Sequence, residues 1–497
     1  MTRSLKFLVP AVLALGSCTV GPDFTPPTGP TESALTPDHA AESGAGDQHF
    51  AVGQKIAGDW WTLFHNDPLN ATLEQAIAGN RTIVAARATL AASEESVAQA
   101  EAGLFPQLDL SAGPLRQHIN GAPFGLKKIP AQFPPYSSIY HVGATVSYAL
   151  DIWGGTRRSI ESNEALAQFQ DYELDAAYLT LTGNAVLEAL TIAALHAETA
   201  TVDSIIADDE TNLRLVNTEV RAGVATQLDI ETAQSQLATD RTLLPPLRQQ
   251  RDAARHALAV LVGRAPGDWS PPDFDLDTLA LPAELPLSLP SDLARQRPDI
   301  LASEAQLHSA NATIGVATAQ LYPNITLTGS LTQQAVTIDT LFHGASDVWT
   351  IGAGLAYPLF HGGALEAQKR RAVDNFNAAL ATYEQTVLTS FQQVADALDA
   401  LEHDAEQLAE QQRALSAAEA SLDLTRRAYT LGSVGIVQVL DAQRQLEQAR
   451  LGFVRARAQR YLDTAQLFVS LGGAWWDWRA KDAPPPQSAA VIPAAAH

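Results

Sequence analysis

Two different spacings of hydrophobic residues alternate along this chain. From about residue 156 to 220, and again from about 364 to 430, proline is absent and Ala, Leu, Gln, Glu and Arg predominate. Large apolar residues in the second stretch recur every three or four positions, the spacing of coiled helices: Val373, Phe376, Leu380, Tyr383, Val387, Phe391, Val394, Leu398 and Leu401. At 1.5 Å per residue, about 65 residues predict a helix of roughly 100 Å, far longer than a globular core needs.

Four short segments instead show an apolar residue at every second position. Their apolar positions are Leu108, Leu110 and Ala112; Val142, Ala144, Val146, Tyr148 and Leu150; Ile325, Leu327 and Leu331; and Ile351, Ala353, Leu355, Tyr357 and Leu359. The intervening positions are mainly Gly, Ser, Thr and Asn. Strands of about 8 to 11 residues with this alternation are typical of membrane barrels, although a half-buried sheet of a soluble protein shows it too. The small polar face, as in a water-filled lumen, favours the membrane interpretation.

Four strands are too few to close a barrel. An open sheet edge in lipid leaves backbone groups unsatisfied, at a cost of several kcal/mol each. Several copies of the chain are therefore expected to share one barrel, and three copies give about 12 strands, enough for a modest pore.

The helical and strand segments occur twice in the same order. Residues 80–113 align without a gap onto 297–330, and a later match pairs Gly223 with Gly432. A displacement of roughly two hundred residues exceeds the period of about 20 to 50 residues in solenoid repeats. The sequence therefore predicts one long unit used twice.

The N-terminus has the pattern of an export signal. Arg3 and Lys6 precede the apolar run 7–14, which is too short to span a bilayer, and the only cysteine is Cys18. A signal that ends in Leu-Gly-Ser-Cys resembles the bacterial lipobox, in which the cysteine is acylated; the alternative is an ordinary signal peptide with a chance cysteine. Thr19, rather than aspartate, follows the cysteine, and the resemblance therefore implies the outer membrane.

These features divide the chain into six segments. A stretch poor in bulky apolar residues follows Cys18, a proline-rich stretch separates the two repeats, and the end is rich in alanine and proline. The predicted segments are a signal peptide (1–17), a lipidated N-terminal tether (18–54), a first repeat (55–263), a linker (264–292), a second repeat (293–479) and a disordered tail (480–497).

Charge and motifs exclude several classes of function. A net charge of −23 argues against nucleic acid as a partner. The sequence has no P-loop, no Gly-x-Ser-x-Gly and no His-Glu-x-x-His, and its histidines show no metal-ligand spacing. We therefore expect no enzyme activity, no cofactor beyond lipid on Cys18, and no metal site. No internal apolar run approaches about 18 residues, so we expect no helical membrane span.

Several separated motifs, in order, resemble a known family, the outer membrane factors. More narrowly they resemble TolC-like, NodT-type lipoproteins of resistance-nodulation-division efflux pumps. The motifs are the segment that begins at Cys18 (CTVGPDF), the segment from Asp59 (DWWTLFHNDPLN), Phe105-Pro106 and Tyr322-Pro323, the segment from Arg297 (RPDI), the segment from Leu440 (LDAQR), and Leu471-Gly472-Gly473.

The resemblance implies a mainly α protein with a small membrane β-barrel. Three protomers form a periplasmic α-barrel of long coiled helices and contribute four strands each to a shared 12-stranded β-barrel. The implied function is a passive outer membrane conduit for small molecules, namely drugs, toxic organics or metal ions. The implied partners are a periplasmic adaptor (membrane fusion) protein, an inner membrane resistance-nodulation-division transporter and outer membrane lipid. The alternatives are a type I secretion conduit, or a coiled-coil envelope scaffold without a pore.

The resemblance also implies a gate at the periplasmic end. By position, Asp441 would form an acidic ring, Val437 an apolar ring one turn earlier, and Arg444 a link between neighbouring helices. Three carboxylates around one axis would repel each other and attract cations. The alternative is an ordinary solvated helix face. In the first repeat Thr232 occupies the position of Asp441.

Gly223 and Gly432 each precede a new helical run. Glycine there suits a tight turn between coiled helices, because it tolerates positive φ. The other interpretation, implied by the resemblance, is contact of these helix tips with the adaptor, and both roles are compatible.

Overall fold

The computed structural model describes residues 19–28, 46–54, 56–118, 136–288, 293 and 295–473. The predicted signal peptide (1–17), the acylation site Cys18 and the tail (480–497) lie outside these residues. The chain divides into two compact units. Unit 1 comprises the described parts of 1–27, 90–170 and 303–383, and unit 2 comprises those of 28–89, 171–302 and 384–497.

Eight α-helices account for most of the described chain. They are α1 (Asp67–Gly79), α2 (Arg81–Glu101), α3 (Gly155–Ala222), α4 (Gln227–Arg241), α5 (Leu244–Leu261), α6 (Pro298–Ala319), α7 (Ala364–Thr430) and α8 (Ile436–Ser470). The two proline-free stretches are single helices of 68 and 67 residues, which confirms the predicted long helices.

The two repeats differ in the return helix of each hairpin. The helix α8 runs for 35 residues, whereas the first repeat is interrupted after Arg241 and resumes as α5. Pro245 and Pro246 occupy the first turn of α5. Proline has no N–H to donate to the preceding turn and is tolerated only where a helix begins, so the first repeat has two shorter helices.

Unit 1 contains a four-stranded antiparallel sheet. Its strands are β2 (Gln107–His118), β3 (Tyr136–Leu150), β5 (Asn324–Ala335) and β6 (Asp347–Ala356), in the order β2-β3-β5-β6. Each repeat contributes one adjacent pair, and the register joins Leu108 to Val146, Val146 to Gly329 and Gly329 to Ile351. Directly paired residues share a face, so the predicted apolar positions within the strands lie on one face of the sheet.

The fourth strand is shorter than its alternation predicts. Tyr357 and Leu359 continue the apolar pattern, but β6 ends at Ala356. Pro358 lacks the N–H that a strand ladder requires and restricts the residue before it, which accounts for the end of regular pairing.

A small parallel sheet lies in unit 2. Residues 49–52 form β1 (His49–Val52) and pair with β4 (Glu284–Leu287). The predicted tether and linker therefore each contribute a strand. Phe274, Leu276 and Leu285 of the linker are also fully buried, so this proline-rich segment contributes to the core of unit 2 as well as connecting the repeats.

The core of unit 2 is built around aromatic side chains. Trp60, from the Asp-Trp-Trp motif, lies with its ring 5.3 Å from that of Phe468. Arg297 is buried, bonds the carbonyl of Ser470 at 2.5 Å and pairs with Asp299 at 2.7 Å. The Arg-Pro-Asp motif thus joins the start of α6 to the end of α8.

The segment 19–28 is fixed on unit 1. Its Val20 amide donates to the carbonyl of Trp153 at 3.0 Å. Arg158, itself buried, pairs with Asp23 at 2.6 Å, and Phe24 stacks on His308 at 4.4 Å. The residues that directly follow Cys18 are therefore attached to the protein surface beside the base of the sheet.

One described helix, α3, is long enough to cross a membrane and contains an 18-residue segment of sufficiently apolar composition. Counting unbroken apolar runs does not detect it, because scattered polar residues interrupt the run. Of that segment, 67% is buried inside the protein, as in the core helix of a water-soluble domain.

Candidate functional site

The two helical hairpins end in turns of the same design. Gly223 follows α3 with φ 77°, and Gly432 follows α7 with φ 71°. At each turn two amides bond back to helix carbonyls: Gly223 to Val220 and Val224 to Glu219, and Gly432 to Tyr429 and Ser433 to Ala428, all at 2.9–3.0 Å. This is the Schellman arrangement, and its left-handed position is the reason for glycine.

The helix that follows each turn starts with a side-chain cap. In the first hairpin Asp229 accepts from the hydroxyl and from the amide of Thr226, both at 2.7 Å, and these two hydrogen bonds lower the pKa of Asp229. In the second hairpin Gln438 accepts from the amide of Gly435 at 3.1 Å. Asp229 and Gln438 occupy matching positions in the two repeats. The residue types differ, but both side chains cap the start of a helix.

The predicted gate residues share one face of α8. Val437, Asp441 and Arg444 are exposed or half-exposed, and they are spaced four and three residues apart, so they form one stripe. The opposite face packs against α3, α4 and α7 through a buried apolar cluster: Val216, Ile230, Ala233, Leu422, Ile436, Val439, Ala442 and Leu446. This packing fixes the direction in which the stripe faces.

Within this chain Arg444 pairs with Asp441 on its own helix, not with another helix. The predicted role of Arg444 as a link between neighbouring helices therefore requires this intrahelical pair to open. Exposed ion pairs of this kind stabilise a helix by about 0.3–0.5 kcal/mol, so breaking the pair costs little free energy.

The sheet of unit 1 presents its apolar face to solvent. Leu110 and Ile351 are 79% and 83% exposed. The opposite face carries small polar side chains, including Ser330 and Thr350, whose hydroxyls are hydrogen-bonded at 2.7 Å. A contiguous exposed apolar face is unusual in soluble monomers and marks an interaction surface. The arrangement matches strands with lipid on one face and water on the other.

The comparisons with known proteins identify the family. A sequence model described as outer membrane efflux protein matches residues 72–264 and 289–473. The chain belongs to this family. Two relatives are OpmQ, the pyoverdine export outer membrane protein of Pseudomonas aeruginosa, and TtgI, a toluene efflux pump outer membrane protein of Pseudomonas putida. OpmQ is 30% identical over 472 residues (94% of this chain, 96% of OpmQ), and TtgI is 30% identical over 478 residues (94% and 97%).

The fold is also that of a solved outer-membrane channel. The structure of OprN matches with a TM-score of 0.83 and 28% identity, covering 92% of this chain and all of that one. The predictions of family, long-helix and strand architecture, outer membrane location and efflux-channel function are confirmed. This efflux protein is the outer membrane channel component of an export system.

Unit 2 of the efflux protein contains a group of buried carboxylates that the sequence did not reveal. Asp209 of α3, Asp240 of α4 and Glu447 of α8 are brought together. Burial, with the neighbouring acids, raises the pKa of Asp209 to about 8 and that of Glu447 to about 7. Their distance along the chain and the lack of any motif explain why sequence patterns do not find them.

A second buried acid, Asp404 of α7, lies apart from this group. Burial, together with the hydrogen bond and charge of Asp463, raises its pKa to about 7, while the charge of Arg460 acts in the opposite direction. The Oδ2 atom of Asp404 has no hydrogen-bond partner among the described residues. An ionised carboxylate in this position is destabilising.

Asp404 predicts a pH-dependent stability. Because its folded pKa, about 7, exceeds the ordinary aspartate value of 3.8, the folded state binds more protons between those two pH values. Its contribution therefore falls as pH rises through that range, by an upper bound on the order of 4 kcal/mol. We expect Asp404→Asn to be more stable than wild type at pH 8 and to lose this advantage near pH 4, measured as thermal midpoints from pH 4 to 8.

The matched control is Asp396→Asn, an exposed aspartate on the same helix. It should keep the wild-type dependence on pH, since water already solvates its carboxylate. If Asp404→Asn and Asp396→Asn give parallel profiles, the assignment to Asp404 is wrong.

Proposed function

We propose that three copies of this efflux protein form one passive conduit through the outer membrane. The observation that carries the proposal is the sheet of unit 1, with an exposed apolar face, a small polar face and outer edges at β2 and β6 that no other described strand pairs. Lipid offers no hydrogen bonds to such edges. Neighbouring copies satisfy them if β6 of one protomer pairs with β2 of the next.

The strand directions suit this closure. The four strands alternate in direction, since each neighbouring pair is antiparallel. With an even number per chain, β6 of one copy and β2 of the next also run in opposite directions, and a ring of three copies is an antiparallel 12-stranded barrel. Bacterial single-chain barrels likewise have even strand numbers. The apolar face then lies outside and the Ser- and Thr-rich face lines the lumen.

The long helices then extend the conduit into the periplasm as a coiled α-barrel. The hairpin tips around Gly223 and Gly432 would contact a periplasmic adaptor, and exposed Val224 and Leu431 beside these glycines offer it apolar surface. An inner membrane resistance-nodulation-division transporter would supply the energy. Solutes would be small molecules, a class that includes the pyoverdine and toluene named for the relatives.

Three further features complete the proposal. Cys18 carries the lipid anchor, and the attached segment 19–28 holds that anchor beside the sheet. Val437, Asp441 and Arg444 form the periplasmic gate, with their exposed stripe toward the axis. The protein catalyses no reaction, and its covalent group is the lipid on Cys18.

Disulfide trapping tests the shared barrel. One cysteine replaces Leu110 on edge strand β2, and a second replaces, in separate variants, each residue from 349 to 353 on edge strand β6. At least one pair should give dimers and trimers on non-reducing gels that dithiothreitol reverses, because paired strands bring Cβ atoms to about 5 Å.

The control pairs Leu110→Cys with Ala144→Cys, its partner on β3 of the same chain, and should give monomers with an internal disulfide. If no pair of edge cysteines yields covalent oligomers, the shared barrel is wrong. A soluble scaffold would instead remain monomeric after removal of the lipid.

A further inference from the structure

Three acidic side chains from three helices meet inside unit 2. Asp209, Asp240 and Glu447 are 4%, 8% and 4% exposed, and one carboxylate oxygen from each lies within 4.8 Å of the others. Oxygens bound to one Ca²⁺ at 2.3–2.6 Å are separated by no more than about 5 Å. The spacing therefore fits three ligands around a single cation.

The surrounding protein leaves these carboxylates without a compensating charge. Among the described residues, the Oδ2 atom of Asp209 and the Oε1 atom of Glu447 have no hydrogen-bond partner. The third member, Asp240, accepts from a neutral group, the side-chain amide of Gln236, at 2.7 Å. In the described part of the chain no arginine or lysine forms an ion pair with any of the three.

Two arginines of the neighbouring helices are engaged with other partners. Arg450 of α8 pairs with Asp208 at 3.1 Å. Arg426 of α7 donates to the side-chain oxygen of Gln443 at 2.9 Å. Buried anions in proteins are normally paired with a basic side chain or coordinate a metal. Pairing with a basic side chain is not found for this group among the described residues.

Two buried amides supply an independent indication. Gln443 is 2% exposed, lies one turn before Glu447 and is close enough to lower the pKa of Glu447, and its Nε2 atom has no hydrogen-bond partner among the described residues. Asn212, one turn after Asp209, is 9% exposed, and its Nδ2 atom likewise has no partner there. A half-turn of the Asn212 amide presents a carbonyl oxygen instead, a ligand that hard cations accept, whereas the oxygen of Gln443 already accepts from Arg426.

The duplication shows that this part of the fold does not need carboxylates. The two tip glycines are 209 positions apart (223 and 432). The same displacement takes Asp209 to Ala418, Asp240 to Ala449 and Glu447 back to Ala238. All three matching positions are alanine, so the acidic residues serve something other than helix packing.

We propose that Asp209, Asp240 and Glu447 bind one divalent cation of the hard, oxygen-preferring class, Ca²⁺ or Mg²⁺. The ion would tie α8 of the second hairpin to α3 and α4 of the first. The three ligands lie 14 to 17 residues from the tip glycines (223 and 432), so the tie holds each hairpin roughly 20–25 Å from its tip. This site is distinct from the proposed Asp441 ring.

Cation binding to the full-length protein in detergent tests the proposal. EDTA removes bound metal from the protein, which is then exchanged into metal-free buffer and titrated with CaCl₂ or MgCl₂ alone. The protein is separated from free ions, and its bound metal is measured by mass spectrometry. We expect wild type to bind one ion per chain at these carboxylates, apart from one ion per three chains at the proposed Asp441 ring, and we expect Asp209→Asn/Glu447→Gln to lose at least tenfold in affinity for the first. At 100 times the dissociation constant, the wild-type melting temperature should rise by about 3 °C.

The stoichiometry separates this site from the proposed gate. A ring of Asp441 residues would bind one ion per three chains, so Asp441→Asn should retain one ion per chain. The double variant needs no cation to offset buried charge, and in EDTA it should melt at or above the wild-type temperature, which shows that it folds. Equal binding by wild type and the double variant, or no ion on wild type because the carboxylates share protons, overturns the proposal. Neither result affects the disulfide trapping between β2 and β6, which tests the proposed conduit separately.

Discussion

Asp441→Ala is expected to convert a small, mostly closed conductance in planar lipid bilayers into a larger conductance that stays open. In the proposed trimer three Asp441 carboxylates surround one axis on the exposed stripe of α8. Divalent cations bridge such a ring, so closure by wild type should depend on them. The variant removes the ring and the partner of Arg444 together, and it should lose this dependence. Single-channel recording of purified protein measures each effect.

The control for this experiment is Asp423→Ala. Asp423 is also an exposed aspartate near a hairpin tip, and it pairs with Arg427 on α7 at 2.7 Å. It lies outside the stripe of Val437, Asp441 and Arg444, and its removal should leave the conductance unchanged. Pores that respond identically in both variants would retain the channel and refute the gate at Asp441. Absence of any conductance from assembled wild-type protein would refute the conduit.

Leu110→Arg is expected to prevent stable insertion into the outer membrane. Leu110 lies on the apolar face of edge strand β2 and is 79% exposed. Arginine on the lipid face costs about 2–4 kcal/mol near the bilayer midplane, and a trimer incurs the cost three times. Fractionation of cells should show far less protein in the outer membrane, and the purified remainder should lack the trimer band.

Ser111→Arg provides a matched control one residue away. Ser111 pairs with Gly143 on the polar face of the sheet, where the proposed lumen supplies water. Insertion and assembly should survive this change, while conductance becomes less favourable for cations. If the two arginines are tolerated equally, neither face of the sheet contacts lipid, and the scaffold without a pore becomes the better interpretation.

Local rules in the sequence were sufficient to predict the elements of this protein. Helix lengths follow from proline-free stretches, and strand faces follow from a side-chain period of two, which pairing preserves. The turns at Gly223 and Gly432 follow from the need for positive φ, to which glycine is suited. Those rules act over a few residues, and a single sequence displays them directly.

The duplication and the motifs determined the family, because their order along nearly the whole chain is specific. They did not indicate two short strands. The tether and the linker contain β1 and β4, which pair with each other across more than two hundred residues. Neither stretch has the composition of a strand on its own, and pairing depends on the partner as much as on intrinsic propensity.

By itself, then, the sequence determined the long helices, the two-faced strands, the repeated unit and the family. The tertiary structure alone decided which charged side chains lose contact with water. Asp209, Asp240 and Glu447 come from three helices and look like ordinary solvated residues in the chain, while Asp441 does lie on the surface. The reason is that burial depends on helix rotation and on neighbours distant in sequence, and the energy of a charge depends on that environment more than on its residue type.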